Sequence, residues 1–224
     1  MLENGALTRA PLKTPKAAAI AGIVFSFLMA TIFWLLRRAI PADPLEPGVW
    51  LTANSKATVA LALNLVPFAG VAFLWFMGVL RDRLGEMEDR FFATVFFGSA
   101  LLFLAMLFAA AAAMGAIMLV DSAVEPNELT NSATFRFARV FAYIMMNVYA
   151  IKMAGVFTIS MSTVVIYTGI ASRWIAYLGY VLAVFLLIGS YYIGWSFAVL
   201  PVWVLLISIY VLIDNFRQPI ESTE

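Results

Sequence analysis

The chain has 224 residues, of which 64% are hydrophobic and only 12% charged, and its net charge is +1. Soluble domains are about 45–50% apolar and about 25% charged, so this composition excludes an ordinary soluble fold and predicts an all-α bundle of membrane-spanning helices. The weak net charge provides no basic field for nucleic acid, and the absence of cysteine and histidine excludes disulfides, thiolate or imidazole metal ligands and the usual haem ligands.

The first membrane span is predicted at residues 17–38, after a polar segment, 1–16, that is assigned to the cytoplasm. Thr14 followed by Pro15 is typical of a helix start, because threonine caps free backbone N–H groups and proline fits the first turn. The apolar run that follows is long enough to cross about 30 Å of hydrocarbon. It is too long for a signal-peptide core and no convincing cleavage site follows it, so it predicts an uncleaved span.

The second span is predicted at residues 57–80, with Asn54 or Ser55 as its amino-terminal cap. It contains Asn64 and Pro67. A proline inside a membrane helix is tolerated when neighbouring groups satisfy the freed carbonyl, and it usually bends the helix. This pair therefore indicates either a bent helix beside a water-filled cavity or a packing hydrogen bond with a tolerated kink.

A charge-dense segment, 81–90, precedes the third span, which is predicted at residues 91–120. Arg81 and Arg83 lie at the carboxyl end of the second helix, and acidic residues lie at the amino end of the third. Each sign matches the helix dipole, so we interpret the segment as a turn between helices, and a partner-docking or headgroup-binding loop is the alternative. Small residues on the third span permit close helix packing. They are Gly98, Ala105, Ala109, Ala112 and Gly115.

The fourth helix is predicted to begin at Ser132, with its membrane span at residues 138–170. Its first turns carry Arg136 and Arg139 among phenylalanines. That mixture suits the membrane interface better than the hydrocarbon core, so we assign these turns to the interface.

The last apolar stretch is long enough for two spans. We divide it at Gly194, because a turn and interfacial aromatic residues are expected between spans. The fifth span is then 174–192 and the sixth 196–213, followed by a cytoplasmic tail, 214–224.

The orientation follows from the distribution of lysine and arginine, which are enriched in cytoplasmic loops. With both termini in the cytoplasm, the loops 39–56 and 121–135 face outward and Lys152 lies within a span. Eight basic residues are then cytoplasmic: Arg9, Lys13, Lys16, Arg81, Arg83, Arg90, Arg173 and Arg217. Five are external: Arg37, Arg38, Lys56, Arg136 and Arg139.

Lys152 is the principal candidate site residue, because it lies within the fourth span while every Asp and Glu lies outside the spans. Charged side chains at membrane depth usually face a bundle interior or a cavity. Tyr149, Thr163 and Tyr167 share its helix face, and Asn64 is a candidate neighbour. These five residues predict a pocket for an anionic or carbonyl-bearing ligand, such as a lipid headgroup. The structural alternative is a lysine that reaches the interface or stays neutral beside Asn64 and tyrosine hydroxyls.

Part of the chain resembles small multi-pass bacterial membrane proteins of uncharacterised function. The resemblance covers about a third of the chain and rests on residues 64–85, NLVPFAGVAFLWFMGVLRDRLG, and 88–98, EDRFFATVFFG. It implies a location in the bacterial inner membrane and assigns no site residues.

Three functions remain open. A non-enzymatic accessory or structural membrane subunit is the first, with the lipid bilayer and other membrane proteins or a second copy as partners. The second is a small transporter or channel with a site around Lys152 and Asn64, although neither a charge relay nor a clear inverted repeat is present. A lipid-acting membrane enzyme is the third, and its general base would have to be a loop carboxylate. No cofactor is expected.

Overall fold

The structure is a computed structural model, and every regular element within the residues it describes is helical. Five of these helices are long and apolar enough to cross a membrane, as expected of a multi-pass membrane protein. The described residues are 15–46, 51–84, 90–123, 129–130, 132–189 and 194–217.

The described residues form seven α-helices, two π-helical segments and one 3-10 turn, Ser196–Ala198. The π-helical segment π1 (Met145–Ala150) joins two α-helices into one rod of 36 residues, Ala133–Thr168. A second segment, π2 (Phe185–Gly189), extends the sixth helix. The α-helices are α1 (Pro15–Ala39), α2 (Ala53–Leu84), α3 (Arg90–Asp121), α4 (Ala133–Ile144), α5 (Ile151–Thr168), α6 (Arg173–Val184) and α7 (Val199–Arg217).

The five long apolar segments agree with five of the predicted spans, and the remaining predicted span corresponds to a shorter rod, Arg173–Gly189. The long segments are Ala17–Ala39, Ala53–Leu80, Thr94–Asp121, Ala133–Thr168 and Ser196–Ile213.

The observed first residues of the helices can be compared with the capping residues predicted from the sequence. Helix α1 begins at Pro15, as predicted, although Thr14 lies outside the described residues. The prediction for α2 was wrong, because the helix begins at Ala53, and the Oγ1 of Thr52 accepts a hydrogen bond from the backbone N–H of Ser55 at 3.3 Å. Thr52 therefore caps the helix in place of Asn54 or Ser55, and α2 starts four residues before the predicted boundary. The helix then continues through Pro67.

The later boundaries follow the sequence signals more closely. Ser132 caps α4 as predicted, since its Oγ accepts a hydrogen bond from the N–H of Phe135 at 3.1 Å. Gly169 ends α5 with a φ of 64°, a left-handed conformation that glycine adopts without steric cost. Gly194 lies in a turn before α7, as predicted. The acidic residues expected at the amino end of the third helix lie outside the described residues.

The centre of the bundle is aromatic. The ring of Phe73 on α2 lies 4.6 Å from Phe25 on α1, 5.1 Å from Phe157 on α5 and 5.5 Å from Phe103 on α3, measured between centroids. Four helices therefore meet at one buried cluster. Helix α7 packs against α1, and α6 packs against α5.

Helices α5 and α6 form a tight antiparallel hairpin. A Cβ at Gly179 on α6 would collide with the Oγ of Ser162 on α5 and stand 2.6 Å from the ring of Trp203 on α7. The hydroxyls of Thr163 and Tyr180 lie 2.7 Å apart one residue further along each helix. Only glycine permits this close approach of the helices.

Candidate binding cavity at one end of the bundle

Lys152 is used to join two helices. Its Nζ donates a hydrogen bond to the carbonyl of Leu187 and another, at 3.4 Å, to that of Leu186. Both carbonyls belong to π2, at the carboxyl end of the α6 rod. Carbonyls at a helix end lack partners within the helix and carry the negative end of its dipole, so a cationic donor stabilises them. The ammonium group therefore has a structural role at the α5–α6 contact.

The other four residues of the predicted Lys152 pocket point in different directions. The amide of Asn64 donates to the carbonyl of Ala60 in its own helix at 2.9 Å and is exposed. Tyr149 and Tyr167 are 52% and 78% exposed. Thr163 faces α6, where it contacts Tyr180. Of the five, Lys152 bonds carbonyls of the α6 rod and Thr163 contacts Tyr180 of α6.

A different cavity, which we call the inner cavity, opens between α1, α2, α3 and the α4–π1 segment. Its volume is about 310 Å³. Polar side chains of Arg37, Arg139, Tyr143 and Asn147 line it, and the lining residues that the structure describes include no acidic one. The apolar walls include Ile32, Leu36, Leu63, Val66, Leu107 and Met114.

Arg139 positions the loop after α1, which lies above the inner cavity. Its side chain is only 3% exposed, and its guanidinium donates to the backbone carbonyls of Asp43 and Glu46, both at 2.6 Å, and Pro41 at 3.1 Å. Pro41 and Pro44 line the cavity, so these bonds fix the loop after α1 above it. The three carbonyl oxygens offset part of the cost of burying this charge.

The π-helical segment π1 forms one wall of the inner cavity through Met146 and Asn147. The amide of Asn147 donates to the carbonyl of Tyr143 at 3.0 Å, which leaves its oxygen and one N–H free of that bond. Single-turn π segments within α-helices are common at functional sites, because the wider turn redirects side chains. Here the segment coincides with the cavity.

An outer groove of about 370 Å³ lies between α1 and α7 on the surface of the bundle. Phe33, Arg37 and Phe197 line both the groove and the inner cavity. The rings of Phe33 and Phe197 lie 4.2 Å apart and separate the two spaces. The guanidinium of Arg37 lies 5.3 Å from the ring of Trp195 above this partition.

An ion pair joins the start of α2 to the end of α3 at the same end of the molecule. The ammonium group of Lys56, near the start of α2, pairs with the carboxylate of Asp121, the last residue of α3. The Asp121 side chain is mostly buried, and that of Lys56 is more exposed. This pair joins α2 to α3, and Arg139 joins α4 to the loop after α1.

Scans of the chain against protein-family models, curated proteins and solved structures find no match.

Sequence reasoning missed the role of Arg139, which it assigned to the membrane interface. A signal was present in the helix period. Phe135, Arg139 and Ala142 occur at i, i+4 and i+7, and all three are buried in the structure. This spacing therefore places Arg139 on the face of α4 that packs against the bundle. The hydrogen-bond partners of Arg139 include three backbone carbonyls, which cannot be recognised from the sequence.

Proposed function

We propose that this chain is a six-span, non-enzymatic protein of a bacterial inner membrane that binds an amphiphilic ligand in the inner cavity. The observation that carries the proposal is the pairing of apolar walls with cationic and hydrogen-bonding groups in one space. Ligand pockets usually have volumes of about 300–1,000 Å³, with mostly apolar walls and a few polar groups that orient the ligand. The inner cavity, at about 310 Å³, fits this description.

The sixth crossing is supported by the path of the chain after α5. The rod Arg173–Gly189 lies antiparallel to α5, with Gly179 near Ser162 and Leu187 near Lys152. At Gly194 the chain reaches the carboxyl end of α1, because a Cβ there would lie 3.6 Å from an Nη of Arg37. The segment thus runs the length of the bundle. An even number of crossings puts both termini on one side, and the basic residues favour the cytoplasm.

The donors in the inner cavity favour a ligand that carries a negative charge or carbonyl oxygens. Arg37 is cationic, Tyr143 can donate its phenol O–H, and Asn147 can donate an amide N–H, whereas the guanidinium of Arg139 already donates to loop carbonyls. Lipid hydrolysis needs a general base, and the described residues that line the cavity include no carboxylate, so we propose binding rather than catalysis. Such a binding protein can act alone, with a second copy, or as an accessory subunit of another membrane protein.

The proposal is tested by native mass spectrometry of the full chain extracted in mild detergent, followed by identification of bound molecules. Ala111→Phe fills the inner cavity, whereas Ala112→Phe adds the same ring at an exposed position of the same helix. We expect the wild type and Ala112→Phe to retain a bound amphiphile, and Ala111→Phe to lose at least about tenfold in occupancy. Equal occupancy in the two variants, or an empty wild-type protein, would overturn the proposal.

A further inference from the structure

We propose that the ligand is a two-chain phospholipid with an anionic headgroup, whose phosphate binds Arg37 while one acyl chain enters the inner cavity and the other lies in the outer groove. This inference rests on the proposed binding function and specifies the ligand class. It follows from the position of Arg37, which lines both the inner cavity and the outer groove.

The inner cavity and the outer groove, the two chambers, diverge from one point, and we call this arrangement the fork. Phe33 and Phe197 line both, and their rings, 4.2 Å apart, stand between them as a partition. Arg37 lines both chambers as well, at the point where they meet. A single-chain amphiphile would occupy only one arm of this fork. A glycerophospholipid has the complementary shape, with two chains that diverge from one phosphate-bearing headgroup.

The cation at the junction is available to an anion. The guanidinium of Arg37 stacks on Trp195, and that of Arg38 stacks on Trp34 at 4.8 Å from the ring centroid. Among the described residues, no carboxylate pairs with either guanidinium. Stacking leaves the N–H edge of an arginine exposed, and that edge matches two phosphate oxygens.

The depth of the junction matches that of a lipid headgroup. Arg37 and Arg38 lie in the last turn of α1, and Trp34 and Trp195 beside them are 58% and 63% exposed. Exposed tryptophans of membrane proteins concentrate at the level of the headgroups. From this level the outer groove extends along α1 to Ser26, eleven positions before Arg37, which is about 16 Å of helix. The groove therefore runs toward the membrane interior, as an acyl chain does.

The test measures lipid binding to the full chain by native mass spectrometry in a non-lipid detergent. The probes are dioleoyl phosphatidylglycerol, its single-chain lyso form, dioleoyl phosphatidylcholine and inorganic phosphate. We expect dioleoyl phosphatidylglycerol to bind at least about tenfold more tightly than each of the others. Arg37→Gln should remove most of the preference over phosphatidylcholine. Arg37→Lys keeps the charge but lacks the planar guanidinium, so it should remove part of that preference.

Chamber-filling variants test the fork itself. Ala30→Phe fills the outer groove, Ala111→Phe fills the inner cavity, and Ala112→Phe is the control on a surface outside both. We expect each filling variant to lower the affinity for the two-chain lipid to that of the lyso form, and the control to leave it unchanged. Size-exclusion profiles and thermal melts establish that the variants are folded.

The outcomes separate this inference from the broader proposal. If Ala111→Phe abolishes binding while Ala30→Phe has no effect and the lyso form binds as tightly as the two-chain lipid, the fork is wrong and the inner cavity remains a binding site. If Arg37→Gln leaves the preference for the anionic headgroup intact, the assignment of the phosphate to Arg37 is wrong, and the inner cavity again remains a binding site. If no variant changes binding of any probe, both proposals are wrong.

Discussion

The guanidinium of Arg139 on α4 donates a hydrogen bond at 2.6 Å to the backbone carbonyl of Asp43, 96 positions earlier in the chain. Two further bonds, to the carbonyls of Glu46 and Pro41, complete the anchor. One buried side chain thus holds the loop after α1 over the inner cavity. Loop position and cavity shape depend on a contact between two parts of the chain that are distant in sequence.

Replacing Arg139 with leucine removes all three loop bonds. Hydrogen bonds to charged groups contribute about 1.5–3 kcal/mol each when lost singly, and the carbonyls freed here can partly rebind water. We expect a net loss of about 2–3 kcal/mol and a fall in Tm of roughly 5–10 °C, measured by the thermal unfolding of the detergent-solubilised protein.

Arg136→Leu is the matched control, because Arg136 is exposed on the same helix. We expect it to change Tm by no more than about 2 °C, the usual range for surface substitutions. Equal destabilisation by the two substitutions would mean that the loss comes from helix α4 in general and not from the anchored loop.

Lys152→Met removes the donor to the carbonyls of Leu186 and Leu187 while preserving most of the side-chain volume. We expect faster amide hydrogen exchange in residues 185–189 and a loss of about 1–3 kcal/mol, because two helix-end carbonyls lose their cationic partner. Asn64→Leu provides the comparison, since its amide bonds only within α2 and faces outward. That variant should be neutral.

The same two variants test the pocket predicted around Lys152. If both of them lower ligand occupancy equally and Ala111→Phe does not, the ligand binds around Lys152 and Asn64, and the inner cavity is not the site.

Gly179→Ala should destabilise the α5–α6–α7 contact. The added methyl would collide with the Oγ of Ser162 and crowd Trp203, so we expect a loss of about 1–3 kcal/mol from overpacking. A Cβ at Gly98 meets nothing within 4 Å, and Gly98→Ala, two turns into α3, should gain up to about 1 kcal/mol from helix propensity. Denaturant or thermal unfolding in detergent measures both. An unaffected Gly179→Ala would refute the tight three-helix contact.

The number of spans can be tested by labelling, because the chain contains no cysteine and every introduced cysteine is unique. We expect a membrane-impermeant maleimide to label Ser122→Cys and Gly194→Cys from outside intact cells, and Ser172→Cys only after permeabilisation. Labelling of Ser172→Cys and Gly194→Cys from the same side would mean that Arg173–Gly189 does not cross the membrane. That result would leave five spans.

Much of the fold was accessible from local sequence signals. The break at Gly194 and the cap at Ser132 were predicted from residues whose chemistry acts within a few positions. The start of α2 was missed because Thr52, Asn54 and Ser55 are all good capping residues, and their order of preference does not decide among them. The two π segments were missed because no residue pattern marks them.

The candidate site was less accessible. Lys152 was singled out as a cation within a span, and in the structure it is partly buried and bonds backbone carbonyls, which every residue possesses. The cavity at Arg37 and Asn147 was not predicted at all. Its members come from separate helices, and no spacing within one helix relates them.

By itself, the sequence determined that lipid is the solvent and that the chain forms successive apolar helices, because hydropathy, caps and turn residues act locally. Only the tertiary structure decided which faces meet. In water, the polar face of a helix identifies its outside, but lipid is as apolar as the bundle core, so inward and outward faces of these helices are alike in composition. The rotation of each helix, and with it the fork beneath Arg37 and the loop held by Arg139, depends on packing against the other helices.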